Sequence, residues 1–363
     1  MVLTASNLAY DLIARGLLSA EAAVSGDFAV VDAGRRNSNF KVLRQNGPGL
    51  FVKQVRTGVV DAVSTHSREA AFYDVIRSRP ALEPIARIVP KLVDYNPRNY
   101  TLTVELIPGA ENVMEHHWRT GAWPEAIGEL LGRSLGLCHA HAGTLVSDPV
   151  LAALFPRQLP FVLNIDPATM FPLNSVSPIG PQLAAALQSS GDLLQHLQTL
   201  RMEWRLDALI HGDMKLDNCV MFSEPNGSLQ LRIVDWELAD VGDASWDIGS
   251  IVAACVAYWL FTTPMQPGQP IGPEAHARLT AMQPMLRAFW NSYAVTRGFF
   301  AQASRLYLLR CLRFCAGRLI LGILEYMQNA TALTPNSMAV LQVSRNIFNA
   351  PEQAARDILG VEA

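Results

Sequence analysis

The sequence predicts an α+β architecture of two lobes, a small β-rich N-terminal lobe over residues 1–107 and a larger, mostly helical lobe over 108–363. Three observations predict it. Short alternating apolar segments crowd the N-terminal part, a Pro-Gly break at Ile107-Pro108-Gly109 ends them, and helical periodicity dominates the rest of the chain. With 363 residues and half of them hydrophobic, the chain is long enough to bury a substantial core in two lobes around a cleft.

The elements follow in order. After an N-terminal helix, the polar turn Ala33 to Val42 lies between two strands, and Phe51-Val52-Lys53-Gln54-Val55 reads as a further strand with Lys53 inside an apolar stretch. An unpaired ammonium there is costly to desolvate, so Lys53 needs an acidic partner. Thr65 to Arg77 is helical, with Ala70, Phe72, Tyr73 and Ile76 largely on one side, and its Glu69 is the natural candidate. A snorkelling edge-strand lysine and a favourable helix charge are the alternative readings of these two residues. Tyr100 to Glu105 alternates as a strand. Gly128 to His141 is a helix whose His139 and His141 lack further metal ligands and read as one packed and one solvent-facing histidine. The Pro-rich stretch Phe155 to Pro181 and the loop Thr262 to Pro273 interrupt the helical part as acceptor-side insertions or plain connections. Ile248 to Phe261 reads as a core helix, too short and interrupted for a membrane span. Helices around Leu306 to Met327 and Met338 to Leu359 close the acceptor side, and Arg310, Arg313 and Arg318 on the first read as solvated, the more common case, with contact to an anionic acceptor as the alternative.

The chemistry concentrates in Ile210-His211-Gly212-Asp213-Met214-Lys215-Leu216-Asp217-Asn218 and in Leu231 to Glu237. Phosphoryl transfer needs a metal site, a cation and a residue that orients the attacking hydroxyl. Asp213 suits the last role, while the Asn218 amide oxygen and the Asp235 carboxylate suit Mg²⁺, which takes a few hard oxygen ligands and fills the rest with water and phosphate. Val220 to Phe222, a Pro-Asn-Gly turn, and Leu229 to Val234 predict a hairpin that brings Asn218 and Asp235 together. A polar turn followed by an ordinary strand with an acidic end is the alternative.

At these residues the chain resembles the aminoglycoside phosphotransferase and choline kinase group, relatives of the protein kinases, which carry HxDxxxxN. The resemblance implies a protein-kinase-like fold and an ATP-dependent kinase, with GTP as a possible donor and Mg²⁺ as cofactor. It implies Asp213 as the catalytic carboxylate, aided by Lys215, with Asn218 and Asp235 on the metal and His211 in the loop's structural support. Lys53, fixed by Glu69, would bind the donor phosphates. The turn before Lys53 would cover them through Ser38 and neighbouring amides, although Gly34 is its sole glycine, with Arg35 or Arg36 adding charge or standing solvated on a plain hairpin turn. The main chain of Glu105 and Ile107 would meet the purine edge at the hinge, with an ordinary strand end at a Pro-Gly turn as the alternative. Asp247, in Gly242 to Gly249, would hold the catalytic loop backbone, while Asp243 caps a turn. Trp236 and Glu237 stand where protein kinases have Phe and Gly, and the short run from Glu237 to Asp247 leaves no room for an activation loop ending in APE, which disfavours a regulated signalling kinase.

A net charge of −3 gives no reason to expect nucleic acid or an anionic membrane as partner. Five cysteines without paired metal spacing, and an N-terminus lacking a basic segment before an apolar core, point to a reducing, cytoplasmic setting. The expected acceptor is a hydroxyl of a small metabolite or antibiotic. A Ser or Thr of a precursor peptide, and a nucleotide-binding pseudokinase scaffold, are the alternatives. Oligomeric state is open.

Overall fold

The computed structural model describes residues 2–34, 38–55, 62–141, 153–265 and 272–362. Arg35 and Arg36, and part of the loop Thr262 to Pro273, lie outside the described residues. The chain forms two compact units, one of residues 1–112 with 218–239 and one of 113–217 with 240–363.

The first unit is built on a five-stranded antiparallel sheet of strands β1 (Phe28–Asp32), β2 (Ser38–Arg44), β3 (Gly49–Gln54), β4 (Leu92–Asn96) and β5 (Thr101–Leu106), in the order β1-β2-β3-β5-β4. Side chains alternate across a strand, and this sheet uses both faces. Phe40 and Val42 of β2 and Leu50 and Val52 of β3 join Leu8 and Leu12 of the N-terminal helix Leu8–Ala14 in one apolar cluster. Lys53 is out of phase with Leu50 and Val52, and its ammonium reaches Glu69 of helix Ala62–Ser78. That helix buries His66, Glu69, Ala70, Phe72, Tyr73 and Ile76, which recur at helical spacing and form one face. The expected hairpin is present, with Cys219–Ser223 paired antiparallel to Leu229–Ile233 and a short strand, Glu111–Asn112, added beside it. Its second strand is tied back by the Ile233 amide, which donates to the Ile88 carbonyl at 2.7 Å.

The second unit is mostly helical. Helices Glu125–Ala140 and Pro273–Thr296 approach so closely that a Cβ on Gly128 would lie 2.1 Å from the Met285 carbonyl oxygen, and one on Gly132 2.2 Å from that of Phe289. Ala244–Thr262 and Ala301–Tyr326 pack in the same way, with Gly249 against the backbone of Cys311 and Cys315. Helix Ala244–Thr262 is apolar and long enough to cross a membrane, yet 83% of its apolar window is buried inside the protein, as a core helix requires. The helical run expected over Met338 to Leu359 is divided: Pro335–Asn349 ends before Pro351, and a short helical segment, closing in a π-turn, follows. Phe155 to Pro181 is a packed segment, with Leu163, Ile165, Met170, Leu173 and Ile179 buried. The carbonyls of Leu163 and Ile165 accept from Arg201 and Gln198.

Candidate functional site

In the first unit, Lys53 is the centre of a cluster of charges. Its Nζ lies 2.8 Å from Glu69 Oε2, 2.6 Å from Asp235 Oδ1 and 3.1 Å from Glu237 Oε2. Burial acts to discharge this ammonium, but the attraction of Glu69, Asp235 and Glu237 outweighs it and holds the Lys53 pKa well above the usual lysine value. Burial pushes Glu69 up to about 7 against the pull of Lys53, and the neighbouring carboxylates add to the rise. The structure brings the expected partners Lys53 and Glu69 together, and Asp235 and Glu237 join them. Sequence reasoning missed Glu237 because it read the residue only as a replacement for glycine; its two-residue spacing from Asp235 was the available signal.

Asp235 sits in the left-handed region at φ 67°, a strained backbone state for a residue with a Cβ, costing on the order of 1–2 kcal/mol. Its neighbour holds it there. Trp236 is fully buried, stacks on Phe72 with ring centroids 4.4 Å apart, and donates from Nε1 to the Ile233 carbonyl at 2.8 Å. The Val234 amide donates to the Asn218 carbonyl at 2.9 Å, so the hairpin ladder sets Asn218 beside the residue that precedes Asp235. Asn218 is itself buried. The carboxylate oxygens of Glu69, Asp235 and Glu237 lie within 4.8 Å of one another. These carboxylates are a hard-oxygen donor set that fits Mg²⁺, and all three also face the Lys53 ammonium.

Of the remaining donor-side residues, Ser38 opens β2 opposite Gln54, one position from the Asn39 and Lys53 pair. Glu105 donates its main-chain N–H to the Lys91 carbonyl at 2.9 Å and accepts the Lys91 amide on its side chain, which restricts any purine contact of its backbone to the carbonyl. Glu105 and Ile107 line an open cleft of about 400 Å³ with Phe222, Glu224 and Arg232.

In the second unit the strand Ala208–Ile210 pairs with Asp240–Gly242, which sets the loop after Ile210 against the start of helix Ala244–Thr262. Asp247, one turn into that helix and fully buried, accepts the His211 amide at 2.7 Å and the Gly212 amide at 3.1 Å. Gly212 turns at φ 82°, where a side chain would be strained, and its carbonyl accepts from Trp246 Nε1 at 3.0 Å. The His211 ring accepts the Asp213 amide through Nδ1 at 3.3 Å. His139, the packed histidine of the pair, lies 3.3 Å from Asp247 Oδ2 and 3.1 Å from the Tyr293 hydroxyl. Asp243 caps the helix through the Ser245 amide and is bonded to Arg310.

This scaffold leaves the Asp213 carboxylate 22% exposed, with Lys215 Nζ 2.6 Å from Oδ2. The reading of Arg310 and Arg318 as solvated is corrected by the structure. Both are buried, and Arg318 lies 3.5 Å from Asp213 Oδ1 and 2.9 Å from Glu325 Oε2.

Known structures share this fold. The choline/ethanolamine kinase family protein of Mesorhizobium loti matches with a TM-score of 0.53 at 15% identity, over 99% of this chain and 100% of that one. The GDP complex of an aminoglycoside 2′-phosphotransferase mutant matches at 0.55 and 13% identity, over 97% and 98%. An amicoumacin kinase in complex with AMP-PNP and Ca²⁺ matches at 0.53 and 16% identity, over 94% and 96%. Likeness at these identities speaks to the fold, which is kinase-like, with a small antiparallel sheet and a larger helical part. No curated protein matches the sequence. The sequence pattern of the phosphotransferase enzyme family matches residues 27–272, and the chain belongs to that family.

Proposed function

We propose that this phosphotransferase moves the γ-phosphoryl group of ATP, or GTP, to a hydroxyl of a small molecule such as a metabolite or an antibiotic. The observation that carries the reading is the buried lysine of β3 held at 2.8 Å by Glu69 and at 2.6 Å by Asp235, the arrangement that binding of donor phosphates demands. Donor binding is assigned to Lys53, Ser38 and the main chain of Glu105 and Ile107, and acceptor activation to Asp213 and Lys215. Asn218 and Asp235, with Glu237 beside them, would hold Mg²⁺, which when bound neutralises donor phosphate charge. In the transfer, the acceptor oxygen bonds to the γ-phosphorus, its proton passes to Asp213, and the bond to the β–γ bridging oxygen breaks to release the nucleoside diphosphate. Lys215, 39% exposed beside Asp213, is assigned to the transferred group.

Neighbours solved with AMP-PNP and with GDP support a nucleotide donor, and the amicoumacin kinase complex supports a small-molecule acceptor. Phe155 to Pro181 spends most of its apolar residues on packing and keeps Phe171 and Val176 exposed. A cytoplasmic setting, where nucleotide and Mg²⁺ are plentiful, suits the five free and buried cysteines.

The test is label transfer from γ-labelled ATP and GTP, with Mg²⁺, to pooled hydroxylated metabolites, aminoglycosides, macrolides and Ser/Thr peptides, with phosphate release to water counted in parallel. Asp213→Asn should lower turnover about 10²- to 10⁴-fold while nucleotide affinity stays unchanged. Turnover equal to that of the wild type would remove the base assignment.

A further inference from the structure

Resting on this reading of Asp213, we infer that Arg318 is a positioning residue for the catalytic carboxylate and that Glu325 fixes Arg318 in turn. The two Asp213 oxygens face different cations, with Lys215 Nζ 2.6 Å from Oδ2 and Arg318 Nη2 3.5 Å from Oδ1. These cations are not equivalent. The Lys215 side chain is 39% exposed, on a loop and on a flexible stem, whereas that of Arg318 is 8% exposed and comes from the middle of helix Ala301–Tyr326.

The helix explains how Arg318 is fixed. Glu325 lies seven residues on, two turns or roughly 10 Å along the axis, a span that the extended arginine stem covers. The stem passes Gly322, where an added Cβ would stand 3.9 Å from Nη1, so the surface between the two charges is left low. The guanidinium then closes on Glu325 Oε2 at 2.9 Å. The nitrogen held there, Nη2, is the same one that faces Asp213 Oδ1, so the bond to Glu325 sets where that end of the planar fork lies.

A division of labour follows. Lys215 leaves Oδ2 when it turns to the phosphoryl group, and that oxygen is then the one offered to the acceptor hydroxyl. Arg318 stays on Oδ1 and keeps the carboxylate from rotating as its partner departs. The 3.5 Å separation is that of an ion pair and longer than a good hydrogen bond, in keeping with catalytic contacts that tighten only when substrate is bound.

The experiment measures kcat, acceptor KM, the affinity for a fluorescent ATP analogue with Mg²⁺, and the melting midpoint for Arg318→Met, Arg318→Lys, Arg318→Ala and Glu325→Gln. Phosphate release to water and label transfer to the same acceptor pool are the readouts. Arg318→Met should lower kcat about 100-fold, the scale of a base misplaced by about 1 Å, with nucleotide affinity unchanged. Arg318→Lys should recover part of that loss, Glu325→Gln should lose less than about 10-fold, and guanidinium ion at millimolar concentration should revive Arg318→Ala but not Asp213→Asn. The inference is overturned if Arg318→Met turns over within twofold of wild type. It is equally overturned if the Met and Lys variants fail together with lowered melting midpoints and guanidinium restores nothing, which marks a residue that only props the helix. Full activity in Asp213→Asn would instead strike the function proposed above, so the two failures are told apart.

Discussion

The charged cluster around Lys53 and the one around Asp213 are built on opposite plans. In the first, a nearly dry lysine is closed in by three acids, and the Lys53 and Glu69 side chains are only 8% and 4% exposed. In the second, the charged tip is 22% exposed and the burial is spent on the backbone behind it, where Asp247 takes the amides of His211 and Gly212. The contrast teaches that the two tasks place different demands on a fold. A site for donor phosphates needs charge fixed in advance, because a cation that must be reorganised on binding gives back much of its attraction. A base must meet a hydroxyl and release a proton, so its carboxylate stays accessible while the loop that carries it is immobilised.

Removing the central cation should break the first plan most severely. Lys53→Met leaves the Glu69, Asp235 and Glu237 carboxylates facing one another, and we expect a loss of about 3–5 kcal/mol in stability together with loss of nucleotide affinity, read by melting and by fluorescent-nucleotide binding. Added Mg²⁺ should restore part of that melting midpoint, more than it raises the wild type. An unchanged midpoint would mean that packing, and not charge, holds the cluster.

The second plan is tested at Asp247. Asp247→Ala orphans two buried amides at a cost of roughly 3 kcal/mol, and it should depress turnover while nucleotide affinity in the surviving folded protein is kept. Equal damage to nucleotide binding would erase the distinction between the clusters.

The smallest effect sharpens the comparison through pH. His66 is wholly buried one turn before Glu69, and burial, reinforced by the Lys53 charge, lowers its pKa from 6.5 to about 4. A histidine with a depressed folded pKa contributes stability that is present above pH 6.5 and lost as pH falls through about 4. Glu69, raised to about 7, works in the other sense: its contribution is present below its unfolded value and lost as pH rises through about 7. The difference between wild type and His66→Asn isolates the histidine. It should amount to about 2 kcal/mol at pH 5 and vanish above pH 7, as measured by denaturant midpoints across that range. A difference independent of pH would show that His66 acts by shape alone.

The strand carrying Lys53, the helix carrying Glu69, the hairpin between Asn218 and Asp235, and the loop Ile210 to Asn218 were all legible in the sequence, because each is encoded by neighbours a few residues apart. Alternation fixes which residues of a strand share a face, helical spacing fixes the Glu69 face, and a Pro-Asn-Gly turn folds the hairpin back. What sequence could not show is where a long side chain ends. Glu237 looked like a substituted glycine until the fold carried it to a lysine 184 positions away, and Arg318 looked solvated until its helix set it beside Asp213. Lys, Arg and Glu are read from sequence as surface residues because most of them are, and their burial depends on partners supplied by other elements. The sequence by itself therefore determined the chemistry on offer and the local frames that present it. Only the tertiary structure decided which charges are dry, which cation is fixed and which can move, because burial and pairing belong to contacts that no local pattern encodes.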